Sequence, residues 1–259
     1  MTAILVFDIE TVPDTEGFRK LHNLDLELSS ADIAEMAFQS RRQVIGTDFL
    51  QLHMQKIIVI SCVLRDENSF RVWSLENKEG SEAELIQRFF DGIDKYTPQL
   101  VSWNGGGFDL PVLHYRSLIH GIQALHYWDT GDNNREFKWN NYIGRYHARH
   151  LDLMDMLALY QSRAAVPLDD IAKLVGFPGK LGMDGSQIWS AFQNGEIAAI
   201  RNYCETDVVN TYLIFLRFQF IRGIFSNEKY QYECELVRAT LGNSVEPHWK
   251  RFMSQWTHK

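Results

Sequence analysis

The sequence is poor in several things, and each shortage removes a class of protein. It has three cysteines, Cys62, Cys204 and Cys234, odd in number and far apart. A disulfide framework or a zinc site needs paired or closely spaced cysteines, so a reducing, cytoplasmic setting is expected. Cys62, inside an apolar run, reads as plain core. No apolar run is long enough to span a bilayer, and the N-terminal one has only a strand's length, so neither a membrane span nor a signal peptide is expected. Basic residues are outnumbered, 26 Lys and Arg against 33 Asp and Glu. That argues against a surface coated in positive charge for nonspecific nucleic-acid binding. It leaves room for a nuclease, whose acidic centre carries metal while its basic contacts stay local. The nine histidines show no metal-ligand spacing, and there are no internal repeats, low-complexity segments or evident linkers.

What is present is an ordinary globular composition in 259 residues, enough for one substantial core. A single domain is expected over 1–259, with a helical insertion at about 14–55 and a helical C-terminal extension at about 226–259. The apolar run 3–7 reads as a buried strand. Ser29, Ser30 and Asp32 suit a helix start, and residues 31–43 lack Gly and Pro. Residues 56–64 form a strand buried on both faces, and 70–75 pair with it as a hairpin. Apolar spacing predicts a helix over 82–96, stopped by Pro98. Residues 99–103 are a further strand, and Pro111 sits in the first turn of a helix through His120. A fifth strand or hairpin falls within 127–153. Helices are expected at 154–160, 168–175, 188–192, 196–220, 230–240 and 248–256, with a Gly-rich loop at 176–185. Strands alternating with helices in this order predict a mixed α/β sheet covered by helices.

Three stretches carry chemistry. The first is Phe7-Asp8-Ile9-Glu10-Thr11 at the end of the first strand. Alternate residues on a strand face one side, so Asp8 and Glu10 project together. Two carboxylates so close repel, and a divalent cation such as Mg²⁺ or Mn²⁺ relieves the conflict. The second is Asn104-Gly105-Gly106-Gly107-Phe108-Asp109, where Asp109 stands at the mouth of a strand. Ligands gather at such strand ends, and the glycines permit tight turns and close approach. The stretch lacks the Gly-Lys-Ser/Thr ending of a P-loop. The third is Tyr203-Cys204-Glu205-Thr206-Asp207 within a helix. Tyr203 and Asp207, four apart, share a face that continues through Asn210, and Asp207 on a mostly apolar face needs a partner or a metal. Glu205 points elsewhere and is expected in solvent. Each stretch taken singly also reads as a polar turn, a helix cap or a surface acid beside a core tyrosine.

Taken in order, the three match the motifs of the DEDDy 3′–5′ exonucleases. More narrowly, the chain resembles the proofreading exonuclease domain of family-B DNA polymerases, in particular the stand-alone bacterial group of PolB-like exonucleases. The resemblance spans residues 3 to about 220. The related histidine-type enzymes carry His five residues before the last Asp. Here that position is Asn202, so the chain resembles the tyrosine type. No polymerase sequence accompanies the motifs, so proofreading in cis is not expected. The resemblance implies an RNase H-like fold, a five-stranded sheet flanked by helices, and hydrolysis of phosphodiester bonds from the 3′ end with two divalent cations, Mg²⁺ or Mn²⁺. It implies that Asp8 bridges both cations, that Glu10 and Asp207 complete one site, and that Asp109 supports the other. Tyr203 would orient the attacking water or help deprotonate it, and a free Tyr pKa of about 10 favours orientation unless the metal intervenes.

Substrate contacts are expected at Thr11, Asn104 and Phe108. Residues 135–149 interleave Phe137, Trp139, Tyr142 and Tyr146 with Arg135, Lys138, Arg145 and Arg149. Stacking rings beside phosphate-binding cations make up a single-strand groove, though the rings could equally pack on the core. The run 248–252 has the same composition and a weaker case. Lys180, in the Gly-rich loop, could reach a phosphate. Asp152 reads as a helix cap or a supporting partner of the site. The expected substrate is a single-stranded 3′ end, DNA ahead of RNA. An RNA-trimming enzyme and a non-catalytic RNase H-like binding module are the alternatives.

Overall fold

The apolar run at 3–7 becomes the central strand of a sheet. The computed structural model describes residues 2–76 and 81–257. The strands are β1 (Ile4–Pro13), β2 (Gln55–Arg65), β3 (Phe70–Glu76), β4 (Gln99–Ser102) and β5 (His150–Asp152), in the order β3-β2-β1-β4-β5. β2 runs antiparallel to β1 and β3, while β4 runs parallel to β1 and β5. The helices, in chain order, are α1 (Thr15–His22), α2 (Ser30–Ile45), α3 (Glu82–Tyr96), α4 (Asp109–His120), α5 (Leu125–Trp128), α6 (Leu153–Leu157), α7 (Leu168–Val175), α8 (Ile188–Gln193), α9 (Ile197–Ile221), α10 (Asn227–Gly242) and α11 (Pro247–Gln255). This is the mixed α/β sheet flanked by helices of an RNase H-like exonuclease fold. None of the described helices is long and apolar enough to cross a membrane.

Alternation along β1 builds two cores. Ile4 and Val6 pack with Val63, Val101 and the apolar side chains of α7, α9, α10 and α11. Leu5, Phe7 and Ile9 face the other way, against α3, α4 and α5. A third cluster joins Val12 and Val59 to α8 and the start of α9. Local signals set the helix ends. Ser29 accepts the Asp32 N–H at the start of α2, and Ser81 with Glu84 forms a reciprocal capping box on α3.

One local expectation needs correction. The helix read at 154–160 stops at Leu157, because Leu159 and Tyr160 adopt left-handed backbone and the Tyr160 N–H reaches back to Asp155 O. Of the strand or hairpin expected within 127–153, the strand is present as β5; before it lie the end of α5, a short 3₁₀ turn at Arg135–Lys138 and irregular chain.

Candidate active site

The face on which a β1 side chain lies decides what it meets. Asp8 and Glu10 follow Ile4 and Val6 on the side covered by α9. One carboxylate oxygen from each and Cys204 Sγ all lie within 4.8 Å of one another. The Cys204 thiol donates to the main-chain O and to Oδ2 of Asp8, both at 3.5 Å. Ile9, between the two acids, donates its N–H to Asp109 Oδ1 at 3.0 Å, which brings in a third carboxylate from the first turn of α4. α9 supplies the fourth acid and the tyrosine, one turn apart.

Lys180 closes the arrangement. Its Nζ lies 3.2 Å from Asp207 Oδ2 and donates to the Tyr203 hydroxyl. The backbone holds it there. Asn210 Oδ1 accepts the Gly179 N–H at 3.1 Å while its Nδ2 donates to Gly179 O at 2.9 Å, and Asp169 Oδ1 accepts the Lys180 N–H at 2.7 Å. Gly179 has φ +70°, and a Cβ there would fall 2.4 Å from Asp169 Oδ1, so a larger residue would be strained and would displace the Asp169 side chain.

Charge is concentrated here. Burial, then repulsion from Asp109 and Asp207, pushes the Asp8 carboxyl well above the usual range. Glu10 is raised by burial and by Asp8 and Asp207. Burial lifts Asp109 to about 7, against the pull of its own and the Ile9 N–H. Asp207 is also raised by burial, with Lys180 opposing. Burial works against the Lys180 ammonium, but Asp207, Asp8 and Glu10 outweigh it and hold its pKa above the ordinary value. Tyr203 is driven far up by burial and then by Asp207, Glu10 and Asp8, so its hydroxyl keeps its proton.

These residues fit a divalent cation. Asp207 Oδ1 is buried with no hydrogen-bond partner, an orphan acceptor that a cation would satisfy. Asp8, Glu10 and Cys204 could together hold a metal ion, and hard carboxylate oxygens predominate.

A cleft of about 740 Å³ opens from Glu10 and is lined among others by Phe49, Asn104, Phe108, Ser186 and Trp189. Thr11 also lines it and donates its hydroxyl to Gln55 Oε1 at 2.9 Å. Phe108 meets the half-exposed Phe49 with ring centroids 5.7 Å apart. Phe49 and Trp189 gave no signal in the sequence; their place on the cleft follows from tertiary packing alone.

The 135–149 stretch divides. Phe137 and Tyr142 are buried, and the Arg149 guanidinium lies over both rings while Nε donates to Asn140 O. Arg149 is thus occupied within the protein. Arg145 is exposed, stacks 4.7 Å over Tyr160, and lines a second groove of about 690 Å³ with Gly106, Tyr146 and Asp155. The structure does not bring it to the cleft at Glu10. In the 248–252 run Trp249 and Phe252 are core. Glu205, expected in solvent, is buried at 9% exposure. It accepts from the Ser74 hydroxyl and pairs with His248 Nε2 at 2.9 Å. Partners from β3 and α11, far away in sequence, cover it.

Comparison with known proteins identifies a family. Residues 47–256 match the family described as "Predicted 3′-5′ exonuclease related to the exonuclease domain of PolB". That span includes Asp109, Lys180, Tyr203 and Asp207, while Asp8 and Glu10 lie ahead of it. The chain is 26% identical over 161 residues to a DNA polymerase of Archaeoglobus fulgidus, covering 61% of this chain and 19% of the relative. It is 21% identical over 236 residues to the catalytic polypeptide of DNA polymerase epsilon from Emericella nidulans, covering 80% of this chain and 10% of the relative. Over 48 residues it is 44% identical to the corresponding polypeptide of Saccharomyces cerevisiae, covering 18% of this chain and 2% of the relative. The chain thus spans a fifth or less of the length of the curated relatives it matches. A family match over 210 of 259 residues (47 to 256) is decisive: the chain belongs to the family of predicted 3′–5′ exonucleases related to the exonuclease domain of PolB.

Proposed function

We propose that the protein is a metal-dependent 3′–5′ exonuclease that hydrolyses single-stranded nucleic acid, DNA in preference to RNA. One observation carries this reading: Asp8, Glu10, Asp109 and Asp207 converge from three separate stretches, with Tyr203 beside them and Asp207 Oδ1 unpartnered. Asp8, Glu10 and Asp207 would hold one Mg²⁺ or Mn²⁺, and Asp8 with Asp109 the other. Two such cations stabilise the attacking and leaving oxygens of a phosphodiester displacement. Tyr203, kept protonated, orients the attacking water by hydrogen bonding and does not act as its base. Lys180, a point charge on the same side, contacts the scissile phosphate. The charged residues lining the cleft are Glu10 and Asp48, and no described lining residue is Lys or Arg. Such a cleft suits the uncharged part of the terminal nucleotide, with its base on Phe108 and its sugar near Thr11 and Asn104. The preference for DNA is supported by the names of the relatives. The cysteine usage supports action in the cytoplasm.

Digestion of 5′- and 3′-labelled DNA and RNA oligonucleotides tests the reading. Hydrolysis from the 3′ end with Mg²⁺ or Mn²⁺, none with EDTA, and faster loss of DNA are expected. Undiminished cutting in excess chelator rejects the metal mechanism. Faster loss of RNA reverses the substrate preference.

The two arginines should separate. Arg149→Ala removes hydrogen bonds and a stacked cation, a loss of about 1–3 kcal/mol. Its melting temperature should fall by roughly 2–10 °C, with kcat of the folded fraction unchanged. Arg145→Ala should leave the melting temperature alone, raise KM and flatten its salt dependence, because a phosphate contact releases counterions. An unchanged KM removes Arg145 from the substrate path.

A further inference from the structure

The 104–109 loop presents Asp109 at its end and three glycines in its middle. Glycine gives a chain freedom, so something else must fix this loop. The anchor lies 48 residues downstream of Asn104. Asp152 ends β5 and caps α6. Its Oδ1 accepts the N–H of Asn104 at 2.9 Å, of Met154 at 3.1 Å and of Asp155 at 3.3 Å, and its Oδ2 accepts the N–H of Gly106 at 2.8 Å. A helix cap uses one oxygen; here the other is committed to Gly106. The loop is packed tightly against what surrounds it. A Cβ on Gly106 would lie 3.3 Å from Asp152 Oδ2, and one on Gly105 would lie 2.3 Å from Ser102 Oγ. From the anchored end, Asn104 O accepts the Phe108 N–H at 3.0 Å and Gly105 O the Leu110 N–H at 2.8 Å. Any movement at 104–106 therefore passes to Asp109, whose own carboxylate is fastened to Ile9 N–H between Asp8 and Glu10.

We infer that Asp152 is a positioning residue of the site, holding the 104–106 backbone so that Asp109 stands in register with Asp8 and Glu10. Its effect on turnover rests on the exonuclease reading above; its effect on metal affinity needs only the carboxylate cluster.

Asp152→Asn tests this without changing side-chain shape. A carboxamide has one acceptor and one NH₂. Either orientation sets an N–H against the N–H of Gly106 or against those of Asn104 and α6. The measurements are Mn²⁺ binding by calorimetry, thermal unfolding, and kcat and KM on a labelled oligonucleotide across a Mn²⁺ titration. Loss of a supporting partner typically costs about 10–100-fold in metal affinity or activity. The expected result is a folded variant with Mn²⁺ affinity and kcat lowered in that range, KM changed less, and kcat partly restored by excess Mn²⁺. Lower melting temperature with wild-type Mn²⁺ affinity and kcat means that Asp152 is only a helix cap, and overturns the inference. Should Asp152→Asn fail to fold, Gly106→Ala keeps the carboxylate and the α6 cap while crowding the contact from the loop side. It should show the same loss of Mn²⁺ affinity, and wild-type binding there overturns the inference. If the wild type binds Mn²⁺ but cuts no oligonucleotide, the exonuclease reading fails while the Mn²⁺ comparison still decides the role of Asp152.

Discussion

Asp8→Asn is expected to give a folded protein that cuts no oligonucleotide, because Asp8 is the ligand assigned to both cations. Digestion of labelled oligonucleotides beside circular dichroism of the same sample reads this directly. Stability gives an independent reading. Burial, then Asp109 and Asp207, raises the Asp8 pKa above its unfolded value. A group raised on folding contributes stability that is complete below the unfolded pKa, near 4, and lost as pH climbs through the folded one. Each pH unit inside that window costs about 1.4 kcal/mol per group. Asp109, lifted to about 7 by burial, adds to the loss up to that pH. Metal-free wild type should therefore melt lower at about pH 8 than at about pH 5. Asparagine cannot ionise. Metal-free Asp8→Asn should melt above metal-free wild type at about pH 8, with the gap narrowing toward about pH 5. Mg²⁺ should raise the melting temperature of wild type and do little for the variant. A folded variant that cuts near the wild-type rate removes Asp8 from the centre.

The parts of this fold that could be read from the sequence are those governed by neighbours along the chain. Period-two alternation set Asp8 and Glu10 on one side of β1, and the spacing of Tyr203 and Asp207 set them on one side of α9. The extent of α3, Glu82–Tyr96, followed from its apolar spacing and the stop at Pro98. What stayed hidden depends on partners distant in sequence. Glu205 looks like a solvent acid until Ser74, 131 residues away, and His248 are folded onto it. Arg149 looks like a phosphate contact until Phe137 and Tyr142 pack under its guanidinium. α6 ends early through left-handed backbone at Leu159 and Tyr160, residue types that do not announce such a turn. Phe49 lies in an irregular stretch, and only packing sets it against Phe108. The motif at 7–11 shows the complementary case. It lies ahead of the residues matched by the family, and the Ile9 N–H bond to Asp109 ties it physically to the rest.

Tyr203→Phe should lower kcat by ~10²–10⁴-fold, the usual contribution of a group that positions or moves a proton at the reacting centre. The hydroxyl accepts from Lys180 and sits against Asp207, one helical turn along α9. Burial and three acidic neighbours keep it protonated, so what it offers is a fixed donor and acceptor and not a phenolate base. Removing it leaves the ring, its contacts in the cluster with Val12 and Ile200, and all four carboxylates. Metal affinity by calorimetry and melting temperature should therefore stay close to wild type while turnover falls. The pH profile separates orientation from base catalysis. If Tyr203 only orients water, the residual rate of Tyr203→Phe should follow pH as the wild-type rate does. A profile that loses its alkaline rise would instead make the phenolate the base. Wild-type turnover in Tyr203→Phe would make the residue part of the core beside α8 and remove the tyrosine-type assignment.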